Sequence, residues 1–337
     1  MLKTLALRAG AHVEGLLERI GDRDDAKPVL DPYFGYATPD GWVLRARVLS
    51  HLRRDEPIPE QSRWTNLRQM ANLFVTDEVA DIAVEAAGVT ARSDAEGYVT
   101  MTVPAGEAAG GAWADVSMRI AGVPDHEAEA DCPVRLIPPG ARHLVISDID
   151  DTMIVTGAHS LARNLWTTFT GSALTRKVYP DAVRLMEALA PGGPVFYVSS
   201  SPWNLHAFLE SLLFARSGLP RGPMFLRDLG ITADGVGQSH LGHKGAAVDA
   251  ILGAVPDLPV YLLGDTGQKD SAVYLEAARR HPGRIAGIGL REPAAGVSGD
   301  DADEIAALEA LGVKVWHGQF FDGATEFWGT DEPLRRS

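Results

Sequence analysis

The sequence predicts an α/β protein in which a parallel three-layer sheet domain follows a smaller all-β sandwich domain. After residue 142, apolar runs alternate with helical patterns, which is typical of a parallel sheet with helices on both faces. Over residues 28–137, strand-like runs are separated by Gly, Asp and Pro, which favours a β-sandwich. A segment with several prolines, 132–142, leads from one to the other. The chain of 337 residues has room for two domains, predicted at 28–137 and 138–330.

An amphipathic helix is predicted before both domains, within residues 1–27. Apolar residues recur between positions 2 and 20, and charged residues of both signs lie between them. This mixed charge favours a helix that packs on the protein itself. A helix on a membrane surface is the alternative, although the polar face of such helices is usually strongly basic.

The predicted sandwich domain contains no cluster of catalytic residue types. Its strands are expected at 41–49, 79–86, 98–103 and 113–120. Apolar residues at helical spacing predict one helix, over 62–76. We therefore expect this domain to position the rest of the protein or to bind a partner.

The predicted parallel-sheet domain alternates strands with helices. The strands are expected at 143–147, 195–199, 260–264, 285–290 and 313–316. The helices are expected at 181–189, 204–214, 245–253, 270–280 and 302–311. Ligands of open α/β sheets bind just beyond the carboxyl ends of the strands. Polar residues at those ends are therefore the candidate site residues.

Composition and charge exclude several classes of function. With 31 basic and 45 acidic residues, the net charge is −14, which argues against a general nucleic-acid binder and gives no help in approaching an anionic bilayer. No apolar run is long enough for a transmembrane segment, and the N-terminus is a poor signal peptide. Cys132 is the single cysteine, so no intramolecular disulfide can form. A cytoplasmic location is expected, with peripheral membrane association as the open alternative.

The most informative stretch is Leu-Val-Ile-Ser-Asp-Ile-Asp-Asp-Thr, at 144–152. A buried strand pattern ends there in three carboxylates, Asp148, Asp150 and Asp151. Like charges this close repel one another, so a bound cation is expected. Carboxylate oxygens without nearby His or Cys favour Mg²⁺ over zinc. An acidic turn without a ligand is the alternative.

Three later segments carry matching polar residues. Ser199-Ser200-Ser201 follows the second strand, and a hydroxyl there can hold a phosphate oxygen. Lys244 opens a helical pattern, where a cation is disfavoured by the helix dipole and therefore indicates a bound anion. Asp265 follows the third strand, and Asp270 lies five residues further on.

This ordered set resembles the haloacid dehalogenase superfamily of phosphatases, in which an Asp-x-Asp-x-Thr, a Ser or Thr, a Lys and a Gly-Asp-x-x-x-x-Asp follow in that order. Within it, Asp-Ile-Asp-Asp-Thr, Tyr-Val-Ser-Ser-Ser-Pro-Trp-Asn, His-Lys-Gly and Leu-Leu-Gly-Asp-Thr-Gly-Gln-Lys-Asp look like the actin-patch-type phosphatidate phosphatase family. The likeness covers about residues 140–320. Ser200 stands where that family has a variable residue, often Asn.

The resemblance implies a role for each motif. Asp148 would be the nucleophile that forms an aspartyl-phosphate, and Asp150 would be the general acid and base. Ser199 and Lys244 would hold the phosphoryl group. Mg²⁺ would be bound by Asp148, by the backbone carbonyl of Asp150 and by Asp265. Asp270 would contact the metal through water or orient Lys244.

Contacts to the rest of the substrate are predicted around these motifs. The predicted substrate-binding residues are Thr152, Ser200, Trp203, Asn204 and Arg176. For Trp203, packing and lining the leaving-group side are both open, and Thr152 fits a loop-supporting role as well. Further candidates in the expected flap are His159, Asn164 and Lys177. Asp151 is expected on the surface or beside the site, with metal contact as the alternative, and His243 at a helix start.

The predicted function is a Mg²⁺-dependent phosphatidate phosphatase, which converts phosphatidate to diacylglycerol and phosphate. The gaps between motifs hold only a minimal cap, so the site is open and suits a phospholipid at a membrane surface. The same chemistry on a soluble phosphometabolite or a phosphoprotein is the first alternative, and a non-catalytic lipid- or protein-binding scaffold is the second. We expect a fragment starting near Pro138 to retain hydrolysis of a soluble phosphoester but to lose efficiency on phosphatidate in membranes.

Overall fold

The structure is a computed structural model, described here over residues 28–50, 79–107, 110–123, 128–155, 178–227 and 240–330. The predicted helices at 1–27 and 62–76 lie outside these ranges. So do four predicted substrate contacts, namely His159, Asn164, Arg176 and Lys177. No helix in the described part of the chain is both long and apolar enough to cross a membrane.

The first part of the described chain forms one eight-stranded mixed sheet. Its strands are β1 (Val29–Pro32), β2 (Gly35–Thr38), β3 (Gly41–Leu49), β4 (Ala83–Ala86), β5 (Val89–Arg92), β6 (Tyr98–Val103), β7 (Trp113–Ile120) and β8 (Glu129–Arg135). Their order is β1-β3-β2-β8-β7-β4-β5, and β6 pairs with the other edge of β3. Among the pairings of these described strands, that of β2 with β8 is parallel and the others are antiparallel.

This sheet curls on itself, because β5 and β6, at its two ends, pack against each other. The sequence predicted a sandwich of two sheets, whereas the structure has one curled sheet. The reason lies in β3, whose nine residues are all buried and which pairs with β1 and β2 along one edge and with β6 along the other. The enclosed core includes Leu44, Val48, Met118 and Val134.

The second part forms a six-stranded parallel sheet. Its strands are β9 (Leu144–Asp148), β10 (Val195–Pro202), β11 (Met224–Arg227), β12 (Val260–Asp265), β13 (Ile285–Arg291) and β14 (Val315–Gly318). Their order is β11-β10-β9-β12-β13-β14. The five predicted strands are confirmed, and the short edge strand β11 was not predicted because four residues give little periodicity.

Helices cover both faces of this sheet, as predicted. They are α1 (Pro180–Leu189), α2 (His206–Glu210), α3 (His240–Ala254), α4 (Asp270–Arg280), α5 (Gly299–Ala310) and α6 (Ala324–Trp328). Alternate residues of β9 enter opposite cores: Val145 packs with α1, α2 and α6, whereas Leu144 and Ile146 pack with α3, α4 and α5. The central position of β9 therefore fixes Asp148 at the middle of the carboxyl edge.

The two sheets contact each other through aromatic side chains. The ring of Tyr36 lies 6.0 Å from that of Phe196 and 5.5 Å from that of Phe225. Phe34 lies 5.9 Å from Phe214. Removal of residues 28–137 would expose this apolar surface to water. The expectation that a fragment starting near Pro138 retains hydrolysis of soluble phosphoesters stays a prediction.

A buried ion pair connects the loop after β9 with the loop after β14. Arg291 Nη2 lies 2.8 Å from Asp181 Oδ2, and both residues are buried. The same arginine donates hydrogen bonds to the carbonyls of Thr152 and Gln319. Asp181 Oδ2 also accepts the backbone N–H of Phe321 at 2.8 Å. The pair therefore connects α1, β13 and two loops.

We expect Arg291→Met to lower the free energy of unfolding by about 3–5 kcal/mol, because it leaves the Asp181 carboxylate buried without its partner. Urea unfolding at neutral pH measures the loss. The matched control is Arg184→Met, which breaks the exposed pair with Asp322 and should change stability little. Equal losses of unfolding free energy in the two variants would show that the buried pair stabilises the fold no more than the exposed pair does.

Candidate active site

The candidate site lies at the carboxyl edge of the parallel sheet, where three neighbouring strands end. Asp148 ends β9, Ser199 lies near the end of β10, and Asp265 ends β12. Lys244 reaches the same place from α3, and Asp270 is the first residue of α4. All five are buried, at 3 % exposure or less. The structure therefore brings together the motifs that the sequence keeps far apart.

Lys244 lies between two carboxylates. Its Nζ is 2.6 Å from Asp148 Oδ1 and 2.5 Å from Asp270 Oδ1. Burial disfavours the charge of Lys244, but the attraction of Asp148, Asp270 and Asp265 outweighs it and raises the pKa of the lysine above its ordinary value. The lysine is therefore a permanent cation in this site.

Three carboxylates converge beside this lysine. One oxygen from each of Asp148, Asp265 and Asp270 lies within 4.8 Å of the others, which makes the three a candidate metal-binding group. Burial, and then repulsion from the neighbouring acids, raises the pKa of Asp148 and of Asp265. Asp148 Oδ2 and Asp265 Oδ1 are buried and accept no hydrogen bond from the described residues. These two oxygens are available to a ligand.

Backbone groups hold the other acid oxygens in place. Asp265 Oδ2 accepts the N–H of Gly267 at 2.7 Å, and Asp270 Oδ2 accepts the N–H of Asp265 at 3.2 Å. Gly264 is required at the end of β12, because a Cβ there would lie 2.7 Å from Asp270 Oδ2. The Gly-Asp sequence thus permits the close approach of the two acids.

Asp150 contacts the serine segment, which is Ser199-Ser200-Ser201. Its Oδ2 accepts hydrogen bonds from Ser199 Oγ at 2.8 Å and from Ser201 Oγ at 3.2 Å. The N–H of Ser201 donates to Ser199 Oγ at 2.9 Å. Two hydroxyls therefore orient one carboxylate oxygen, and Ser199, predicted to hold a phosphoryl oxygen, contacts Asp150.

The loop after β9 turns sharply at Asp151, which has a positive φ of 58°. The N–H of Asp151 donates to the carbonyl of Ile154, whose own N–H donates to Ile149. Thr152 is fully buried, and its carbonyl accepts Arg291. These contacts agree with a loop-supporting role for Thr152, while contact with substrate stays a prediction.

Gln268 is a site residue that the sequence analysis missed. Its Nε2 donates to the backbone carbonyl of Asp150 at 3.3 Å, which joins the loop after β12 to the loop after β9. Its Oε1 is buried and has no hydrogen-bond partner in the described part of the chain. The available signal was its position between Asp265 and Asp270.

The remaining predicted residues flank this group. Ser200 is buried within β10. Trp203 and Asn204 contact the curled sheet, through Tyr33 and Arg47 respectively, so packing is the observed role of Trp203. Burial lowers the pKa of His243, which favours its neutral form. The chemical role of each of these residues stays a prediction.

The candidate site lies within a segment that matches a known protein family. Residues 143–292 match the family model described as the catalytic domain of phosphatidate phosphatase APP1. This segment is similar to that catalytic domain. The resemblance predicted from the motifs is thereby confirmed, and the matched segment contains all six residues that the sequence assigned to catalysis or to a metal: Asp148, Asp150, Ser199, Lys244, Asp265 and Asp270.

Two curated relatives match over a similar length. Phosphatidate phosphatase APP1 of Saccharomyces cerevisiae is 29% identical over 158 residues. An uncharacterized protein of Schizosaccharomyces pombe is 28% identical over 155 residues. Each match covers 44% of this chain and 25% of the relative. The chain thus spans about a quarter of the length of these relatives. A solved carbohydrate acetylesterase from Xanthomonas citri aligns with 85% of this chain and 75% of its own, at 15% identity and a TM-score of 0.25.

Proposed function

We propose that residues 138–330 form a haloacid-dehalogenase-like phosphoric monoester hydrolase that converts phosphatidate to diacylglycerol and phosphate. The observation that carries the proposal is the convergence of Asp148, Asp265 and Asp270 around Lys244 at the carboxyl edge of the sheet. The catalytic-domain match supports the same chemistry and the phospholipid substrate.

Asp148 is the nucleophile in this proposal. Its Oδ2 accepts no hydrogen bond from the described residues, so it can attack phosphorus, forming a P–O bond to the carboxylate as the bond to the glycerol oxygen breaks. Lys244, 2.6 Å from the other carboxylate oxygen, favours the ionised form of Asp148 against the effect of burial and neutralises charge on the phosphoryl oxygens. The product of this step is an aspartyl-phosphate.

Asp150 moves the proton. In the first step it gives a proton to the departing glycerol oxygen, which leaves as diacylglycerol. In the second it takes a proton from the water that attacks phosphorus, and phosphate leaves as Asp148 is regenerated. The hydrogen bonds from Ser199 and Ser201 fix the direction of this carboxyl group.

A divalent cation fits the acid group. Three buried carboxylates with one lysine carry excess negative charge, and hard oxygen donors suit Mg²⁺. Asp148 and Asp265 would hold it through the oxygens that accept no hydrogen bond from the described residues, with Asp270 beside them. When bound, Mg²⁺ withdraws charge from the phosphoryl oxygens and screens the nucleophile from them.

Mg²⁺ is expected to raise the thermal midpoint more at about pH 8 than at about pH 5. The folded-state pKa values of Asp148 and Asp265 are raised. The stability that these acids contribute is therefore full below their unfolded pKa and is lost as pH rises through the folded pKa. Mg²⁺ binds the ionised form and offsets that loss. Scanning calorimetry with Mg²⁺ or with EDTA, at both pH values, measures the shift of the thermal midpoint. A shift that does not depend on pH would contradict this prediction.

A screen of phosphoesters tests the function. It compares short-chain phosphatidate in mixed micelles with soluble sugar phosphates and a phosphopeptide, with Mg²⁺ and with EDTA. Preferential Mg²⁺-dependent release of phosphate from phosphatidate supports the proposal. Activity confined to a soluble ester or the phosphopeptide would replace the substrate, and no activity on any ester would favour a non-catalytic scaffold.

A further inference from the structure

The serine segment that contacts Asp150, Ser199-Ser200-Ser201, lies where the regular pairing of β10 with its two neighbouring strands is incomplete. β10 pairs with β9 only from Val195 to Val198. Its pairing with β11 is interrupted between Val198 and Pro202. Ser199, Ser200 and Ser201 thus lie beyond one described ladder and within the irregular part of the other. Their position therefore depends also on contacts from outside these two strands: His243 hydrogen-bonds the backbone of Ser199, and the chain that follows Ser201 is held as well.

Trp203, two residues after Ser201, is held by the curled sheet. Its ring stacks on Tyr33 at a centroid distance of 4.8 Å and an interplanar angle of 18°. On the same side, His206 lies 5.7 Å from Trp203 and 4.4 Å from Tyr33. Tyr33 and His206 are buried, whereas Trp203 is half-buried.

Two arginines of β3 contact the same turn. Arg47 donates to Asn204 Oδ1 at 3.2 Å and to the carbonyl of Glu96 at 2.9 Å. Arg45 lies with its guanidinium 5.3 Å from the centroid of Trp203, and it donates to the carbonyl of Phe34 at 2.7 Å. Both arginines are buried. The turn at Trp203 is therefore fixed by ring stacking, cation–π contact and a hydrogen bond.

We infer that Tyr33 and Arg47 are positioning residues for the active site. They act through Trp203 and Asn204 on the serine segment, and through the serine hydroxyls on Asp150. The inference rests on the proposed function, since it assigns the curled sheet a part in the proton transfer by Asp150. It gives the described part of the curled sheet a role beside the site through side chains that do not themselves contact the reacting atoms.

The test compares Tyr33→Leu with Phe34→Leu in the full chain. The two residues are adjacent, aromatic and equally buried at 4 %, but Phe34 contacts Trp113 and Phe214 instead of Trp203. Activity is measured at equal folded protein on phenyl phosphate and on p-nitrophenyl phosphate. The nitrophenolate is the better leaving group and depends less on a general acid.

We expect Tyr33→Leu to lower kcat on phenyl phosphate about 10- to 100-fold, with a smaller loss on p-nitrophenyl phosphate and little change in KM. Phe34→Leu should lower neither kcat in this selective way, and Tyr33→Phe, which keeps the ring, should restore activity. If Tyr33→Leu does not fold, Arg47→Lys replaces it, because an ammonium cannot reproduce the fork that bonds both Glu96 and Asn204.

Equal losses on the two esters, or equal losses in the Tyr33 and Phe34 variants, would overturn the inference and leave the proposed function standing. The same holds if Arg47→Lys shows no dependence on the leaving group. A wild-type protein that hydrolyses neither of these esters nor phosphatidate would overturn the proposed function, and the inference with it.

Discussion

Asp148→Asn is expected to lower kcat by at least about a thousandfold while leaving the protein folded. The amide nearly keeps the volume of the carboxylate, but it cannot attack phosphorus and it loses its charge beside Lys244, 2.6 Å away. Because burial and the neighbouring acids raise the pKa of Asp148, the native site already carries a cost for this charge. Its removal should therefore not unfold the domain.

The matched control is Asp151→Asn. Asp151 lies on the same loop with a φ of 58°, a conformation that Asn accepts readily. Its activity should stay within a few-fold of wild type, as judged by steady-state phosphate release. Retention of more than roughly a tenth of the wild-type activity by Asp148→Asn would mean that this residue is not the nucleophile.

Lys244→Met is expected to lower both activity and stability. It leaves Asp148 and Asp270 buried without their shared cation, which should reduce the free energy of unfolding by about 3–5 kcal/mol at neutral pH. The loss of stability should become smaller towards low pH. Because the pKa of Asp148 is raised, this acid becomes protonated as the pH falls, and a neutral acid no longer needs the cation. Urea unfolding across a pH series measures both the size and the direction.

Lys269→Met, at an exposed position in the loop between Asp265 and Asp270, is the control and should change stability little. A Lys244 variant as stable as wild type at every pH would contradict the account of the site. It would mean that the charge of Lys244 does not stabilise the two buried acids that it contacts, Asp148 and Asp270.

The sequence predicted the parallel sheet and the site for one physical reason. Motif residues follow strong apolar runs, and the carboxyl ends of neighbouring parallel strands meet at one edge. Asp148 and Asp265 could therefore be expected close together from order alone. The same reasoning could not find Gln268, whose contact with the Asp150 carbonyl depends on loop geometry and not on periodicity.

The contact between the two sheets could not be predicted from the sequence pattern either. Tyr33 lies in a short turn, and nothing local indicates that its ring meets Trp203, 170 positions later. The curled form of the first sheet was missed for a related reason. A strand buried along its whole length, as β3 is, predicts partners on both edges but not which strands provide them.

The most direct test of the central claim is to quench wild-type enzyme in acid during turnover of phosphatidate labelled in its phosphoryl group, and then to map the label on the protein. We predict a Mg²⁺-dependent, acid-stable label on the peptide that contains Asp148, and none in Asp148→Asn. Rapid release of phosphate with no protein-bound label, or with label on another residue such as Ser199, would contradict the account.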